Sequence, residues 1–327
     1  MKDNHYILLT IDVEDWFQVE NFKQCIPFSS WPSCELRVEQ NTHRLLDLFD
    51  AFEQKKCPQN PVNPVQPSTN KIKATFFILG WIADRLPNLV REIHARGHEV
   101  ASHGFLHDLC NKQSREDLKK DLTDSKKLLE DIIGDEVYGY RAPSFAINND
   151  ILKTIEDSGY MYDSSYNSFA LHGRYGKLNL TCNGSNQIDL PINPINRIKQ
   201  KNTSNSSKPK NFYELPISNF KFGNIILPWG GGGYFRMIPF SLFKKGVGSI
   251  LKKDLVYVFY MHPWEADPKQ PRVEDASVFF KFRHYINLDK TYSKLSKLIE
   301  SFDHCNFITC SQYLEEITNS DTSINPN

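Results

Sequence analysis

Residues Tyr6 to Ile11 (YILLTI) are apolar apart from one threonine, and they run directly into the charged tetrad Asp12-Val13-Glu14-Asp15. A run this short, closed by charges, predicts a buried central strand that delivers carboxylates at its C-terminal end. Apolar positions then recur at helical spacing over Val38 to Phe52, through Leu45, Leu46, Leu48, Phe49 and Phe52. ATFFIL at Ala74 to Leu79 predicts a second strand, and Ala83 to Ala95 a helix closed by Gly97. His98 to Ala101 is read as a third strand leading into His103. Ser114 caps a long amphipathic helix that ends at Ile133 before Gly134. Val137 to Tyr140 reads as a strand ending at Arg141, and Asn148 to Asp157 as a helix closed by Gly159.

From Leu171 this rhythm breaks. Phe212 to Ile226 is expected to form a β-ribbon, Pro239 to Gly246 a helix, and Leu255 to Met261 a strand running into His262. Tyr292 to Phe302 is read as a late helix and Asn306 to Thr309 as the last strand. Short strands alternating with helices predict a parallel α/β core, with polar residues gathered just after the strands. One domain over 1–327 is expected, carrying insertions at 57–70, which is rich in proline, and at 171–236. Within the second, Asn193 to Lys210 is polar and basic and reads as a solvated surface segment.

Charge changes this picture little. The 39 basic and 39 acidic residues cancel, so nothing in the balance points to a nucleic-acid partner. No run approaches the roughly 18 apolar residues of a membrane span, and the first residues lack the apolar core of a secretory signal. The seven cysteines form no CxxC pair, which is read as reduced thiols in a cytoplasmic protein. A metal site would therefore be built from histidine and carboxylate. Self-association is left open.

The chemistry concentrates in four places. His103-Gly-Phe-Leu-His107 sets two imidazoles at i and i+4, close enough on a helical turn to share an ion. Asp12, Glu14 and Asp15 offer one carboxylate for that ion and another to take a proton from water, since those roles need separate groups. Arg141, in YRAPS, stands where a guanidinium would hold a carboxylate base by paired hydrogen bonds, and Pro143 stiffens the loop after it. His262, before Pro263 and Trp264, is placed to protonate a leaving amine. The run LPWGGGGY, Leu227 to Tyr234, lacks the lysine and hydroxyl of a phosphate loop. It is read either as a turn that lets the backbone approach a sugar, with Trp229 or Tyr234 stacking on the ring, or as a packed turn with buried aromatics.

TIDVEDW, SHGFLH, RAPSF and YMHPWE, in this order, resemble the polysaccharide deacetylase family, the NodB-homology carbohydrate esterases. The likeness is nearest to peptidoglycan-deacetylase-like and allantoinase-like proteins and to deacetylases of exopolysaccharide gene clusters. It implies a distorted (β/α)7-type barrel. It also implies Asp12 as general base, Arg141 as its orienter, His262 as general acid, and His103 and His107 as ligands of one divalent metal, zinc by preference. The family's paired aspartates are interrupted here by Val13. Strand alternation favours Glu14 as the third ligand and the family's use of aspartate favours Asp15, which is given the lead. Substrate contacts are expected from Pro143, Ser144, Trp229, Tyr234 and Trp264, with a backbone N–H of Ala142 to Ser144 facing the oxyanion. The implied reaction is hydrolysis of an N-acetyl amide on a saccharide, and the missing secretion features suggest a cytoplasmic precursor such as a nucleotide- or lipid-linked saccharide. The alternatives are an allantoinase-like small-amide hydrolase and a carbohydrate-binding protein without catalysis.

Overall fold

A computed structural model describes residues 4–55, 71–169, 175–176, 178, 196–198 and 212–322. The chain starts with β1 (Tyr6–Val13), α1 (Val38–Lys55), β2 (Ala74–Ile78), α2 (Gly80–Arg85), α3 (Pro87–Ala95) and β3 (Glu99–Ser102). It continues through α4 (Arg115–Ile133), β4 (Gly139–Tyr140), α5 (Asn149–Asp157), β5 (Tyr162–Asp163), β6 (Asn196–Ile198) and β7 (Phe212–Glu214). Next come β8 (Asn219–Phe222), β9 (Ile225–Pro228), α6 (Gly232–Met237), α7 (Phe240–Asp254) and β10 (Val256–Met261). It closes with α8 (Val278–Tyr285), α9 (Leu288–Ser301), β11 (Asn306–Phe307) and α10 (Cys310–Thr322).

The main sheet runs β10-β1-β2-β3-β4-β5-β7, parallel at every step. β6 adds an antiparallel edge to β7, and β11 pairs the first two residues of β1. The two ends of the sheet are joined without a regular ladder. Ser218 N–H donates to the Val258 carbonyl at 3.3 Å, Val258 N–H donates to Ser218 Oγ at 2.8 Å, and Tyr260 N–H donates to the Gly230 carbonyl at 2.7 Å. The result is a distorted (β/α)7-type barrel.

Strand alternation sorts the side chains into two layers. Leu8, Phe77, Ala101, Tyr162, Val256 and Val258 form the inner core, stoppered by Tyr313 and Leu314 of α10. Ile7, Leu9, Ile11, Phe76, Ile78, Tyr257 and Phe259 face the surrounding helices. Asp12 and Glu14 therefore share the inward parity of Leu8 and Thr10, and His262 shares that of Val256 and Val258. This parity aims the site residues into the barrel mouth.

Most element positions follow the apolar pattern, with Ser114 and Asn148 capping their helices as the caps of α4 and α5. Three readings need correction. The helix expected over 83–95 is two helices broken at Leu86, because Pro87 starts a new one. The ribbon is β8–β9, whereas Phe212–Glu214 is a barrel strand, so this part of the expected 171–236 insertion belongs to the sheet. α7 runs on past Gly246 to Asp254, since Gly246 lies flat against the Trp229 indole, where a Cβ would come within 2.2 Å. The expected 57–70 insertion and most of Asn193 to Lys210 lie outside the described residues. Among the described residues no helix is long and apolar enough to cross a membrane, and Cys25, Cys34, Cys110, Cys305 and Cys310 are free thiols.

Candidate active site

Asp12, Glu14, His103, Arg141 and His262 meet at the C-terminal ends of β1, β3, β4 and β10, the end where parallel barrels carry their chemistry. The two imidazoles of His103 and His107 stand 5.4 Å apart, but not on a helical turn as expected. The segment is an irregular loop with positive φ at Gly104 (75°) and His107 (57°). Asp121 holds its shape by accepting the Phe105 N–H, and a Cβ at Gly104 would lie 2.8 Å from that carboxylate. A histidine at positive φ is uncommon backbone, and strain of this kind collects at functional sites.

Among the described residues, Glu14, His103 and His107 are the group of three whose possible ligand atoms all lie within 4.8 Å of one another, and all three are buried. His103 Nδ1–H donates to the Arg141 carbonyl at 2.7 Å, which leaves the Nε2 lone pair for a ligand bond. His107 Nε2 lies 2.9 Å from Glu14 Oε2, yet that oxygen is buried without a properly aligned hydrogen-bond donor. Two acceptor atoms aimed at one another with no proton well placed between them fit a shared cation. Burial pushes the Glu14 carboxyl up, but the neighbouring His107 and His262 imidazoles, when protonated, outweigh it and hold the group well below the usual carboxylate range. Burial lowers His103 to about 4, so its imidazole is neutral, as ligation requires. These residues fit one divalent ion.

The lead given to Asp15 is thereby corrected. Its parity turns it away from the barrel mouth, and its oxygens accept the N–H groups of Trp16, Arg37 and Val38 at 2.7 to 2.9 Å. Asp15 fixes the start of α1, and Glu14 is the residue beside the histidines.

Arg141 is fully buried and reaches Asp12 with one hydrogen bond, Nη1 to Oδ1 at 2.7 Å, not with the expected pair. The rest of its fork goes to Thr10 Oγ1, the Ser164 carbonyl and Ser164 Oγ, with Phe77 stacked 4.1 Å below. Ser165 completes this grip: its hydroxyl accepts the Ala142 N–H and donates to Asp163. Ala142 N–H is thus spent and Pro143 has none, which leaves Ser144 of the three expected oxyanion donors. Behind the turn, Glu214 lies opposite Asp163 on β7 and accepts the Tyr166 N–H. Two buried carboxyls side by side cannot both ionise, and burial with the Asp163 charge raises Glu214 well above its ordinary value.

His262 faces both carboxylates, with Nε2 3.3 Å from Glu14 Oε1 and 3.9 Å from Asp12 Oδ2. Burial pulls its pKa down, but Glu14, Glu265 and Asp12 more than offset this and bring it to about 9. Its other nitrogen, Nδ1, is 2.9 Å from Glu265, which Arg236 anchors from behind at 2.8 Å. The sequence reading saw nothing to separate Glu265 and Glu214 from surface carboxylates, whereas both are buried, and it did not single out Arg236. The signal for Glu265 was its place three residues after His262; Arg236 had none.

The expected sugar contacts divide. Trp229 is buried, stacks on Phe243 at 5.7 Å and donates to the Phe243 carbonyl, so it is core and not a sugar platform. The glycine run serves the protein's own packing: a Cβ at Gly232 would lie 2.2 Å from Glu265. Trp264 is buried between the rings of His262 and His284 and donates to Glu14 Oε1 at 3.3 Å, which makes it a wall that steadies Glu14. Pro143 is buried at the loop and Ser144 takes φ 52° there. Tyr234 is half-buried against Phe169.

Barrel and site together define a hydrolase-like α/β barrel with a two-histidine, one-carboxylate centre. Residues 68–162 match the family model described as polysaccharide deacetylase, and residues 164–315 match a domain of unknown function, DUF3473. Over residues 68–162 the chain resembles the polysaccharide deacetylase, NodB-homology family. It is 34% identical over 90 residues to a peptidoglycan-N-acetylglucosamine deacetylase of Bacillus cereus, covering 28% of this chain and 42% of that one. It is 30% identical over 91 residues to a chitooligosaccharide deacetylase of Sinorhizobium fredii, again 28% and 42%. The matched stretch spans less than half of either relative. Two solved structures share the fold. One is a Mycobacterium smegmatis protein assigned as a polysaccharide deacetylase, with TM-score 0.57, 17% identity and 98% and 93% coverage. The other is the Puue allantoinase, with TM-score 0.53, 12% identity and 93% and 86% coverage.

Proposed function

We propose that this chain is a divalent-metal-dependent N-deacetylase of saccharides, with zinc as the preferred ion and an N-acetylated sugar as substrate. The observation that carries the reading is the convergence of Glu14, His103 and His107 beside Asp12, gripped by Arg141, and His262. Glu14, His103 and His107 would hold the ion. The chemistry it supplies when bound is polarisation of the amide carbonyl and acidification of a water. Asp12 takes the proton of the attacking water. Arg141 keeps Asp12 ionised and aimed, and Ser144 N–H faces the carbonyl oxygen as negative charge grows there. His262, steadied by Glu265, gives its proton to the departing amine.

The test is mass spectrometry and acetate assay of zinc-reconstituted protein incubated with N-acetylated oligosaccharides and, separately, with allantoin. Loss of one acetyl group with equimolar acetate is expected. Ring opening of allantoin without acetate release from any sugar would overturn the reading. Arg141→Lys keeps the charge but loses the fork that fixes Asp12. It should lower kcat by about a hundredfold, as expected for a reacting group misplaced by about 1 Å, with metal content unchanged. An Arg141→Lys variant of normal kcat contradicts the orienting role.

A further inference from the structure

Between Glu214 and Asp254 the chain carries no carboxylate, although its 39 acidic and 39 basic residues balance overall. That stretch holds Lys221, Lys244, Lys245, Lys252 and Lys253, all exposed, besides Arg236, which is buried against Glu265. It also builds the β8–β9 ribbon, a two-stranded sheet apart from the barrel sheet. The ribbon turns at Gly223-Asn224, with Gly223 at φ 57°, so Phe222 and Ile225 stand opposite each other at its tip. Phe220 and Leu227 form a second pair two residues back, and strand alternation puts these four side chains on one face.

At its root this face joins the core, where the Phe220 ring lies 5.3 Å from Trp229, itself stacked on Phe243 of α7. Toward the tip it meets water, with Phe222 69%, Ile225 59% and Leu227 38% exposed. α7, which packs against β8, adds Leu242 at 53%. Large apolar side chains exposed together mark a surface that is covered in use. A second copy meeting this face about a two-fold axis would set lysines against lysines, with no carboxylate from this stretch to answer them. A bilayer with anionic headgroups answers both features: its acyl boundary takes the apolar tip, and its phosphates meet the lysines. The other exposed apolar face, Val278, Phe279 and Phe282 on α8, follows directly on exposed Glu274 and Asp275, which such a surface repels.

We propose that the β8–β9 ribbon, with the start of α7, docks this chain on an anionic lipid bilayer. Phe222 and Ile225 enter the boundary between headgroups and acyl chains, and Lys221, Lys244 and Lys245 meet the phosphates. Such docking needs neither metal nor sugar and stands whatever the barrel hydrolyses. The test is co-sedimentation of the full chain with phosphatidylcholine vesicles, with and without about 30% phosphatidylglycerol. Binding to the anionic vesicles should be at least about thirtyfold stronger, since each lysine near such a surface contributes about fivefold. Salt at about 0.5 M should erase most of that preference. Phe222→Ser with Ile225→Ser should weaken anionic-vesicle binding at least about tenfold. Lys221→Gln with Lys244→Gln and Lys245→Gln should remove the preference for anionic lipid. Thermal melts should not change, because all five side chains are exposed. Wild-type protein that sediments with neither vesicle overturns docking. So does undiminished binding by the serine variant, or binding lost through Phe279→Ser with Phe282→Ser on α8 and kept by the ribbon variant. A wild-type dimer in light scattering that the serine variant splits gives the face to a second copy, and overturns lipid docking as well.

Discussion

Glu14→Gln is expected to abolish stoichiometric metal binding and to lower kcat/KM by well over a hundredfold, because even groups that only support ligands cost about 10- to 100-fold in affinity or activity. The substitution keeps size and removes the charge that faces three imidazoles. Its control is Asp15→Asn, one residue along. Asp15 accepts the Arg37 and Val38 N–H groups at the start of α1 and the Trp16 N–H beside it, so its loss should cost about 1 to 2 kcal/mol of stability and leave metal content intact. Metal analysis and thermal melts of the two variants separate the roles. The reverse pattern, with Asp15→Asn losing metal and Glu14→Gln keeping it, would reinstate Asp15 as the ligand.

Asp12→Asn is the complementary expectation, activity lost with metal retained. Asp12 lies beside the centre and not in it: its Oδ1 accepts from Arg141 at 2.7 Å, and its Oδ2 points toward His262. Asparagine preserves the bond from Arg141 but cannot take a proton from water. A positioned base contributes about 10²- to 10⁴-fold, so a fall of roughly a thousandfold in kcat with KM near normal is the predicted result. Metal leaving together with activity would recast Asp12 as a ligand.

How much of this the sequence discloses varies with the physics involved. The barrel strands are legible because their side chains are buried on both faces, which writes them as apolar runs such as YILLTI and LVYVFYM. Period-two alternation also pointed to Glu14, sharing the inward face with Asp12; giving family habit precedence over that geometry produced the Asp15 assignment. The His103/His107 pair was found by spacing, but its helix was not, since positive φ at Gly104 and His107 is imposed by tertiary partners such as Asp121. Trp229 was misplaced because an aromatic beside glycines reads alike whether it stacks on sugar or on Phe243. Ser164, Ser165, Glu214 and Arg236 act through contacts made across distant strands, and a single sequence carries no local mark of such contacts.

Anomalous X-ray diffraction from crystals grown with zinc tests the central claim most directly. One ion bonded to Glu14, His103 and His107 at about 2.0 to 2.2 Å, with Asp12 and His262 flanking it, is the predicted result. An ion seated on Asp15, or full zinc loading with Glu14 turned away from both imidazoles, would contradict it.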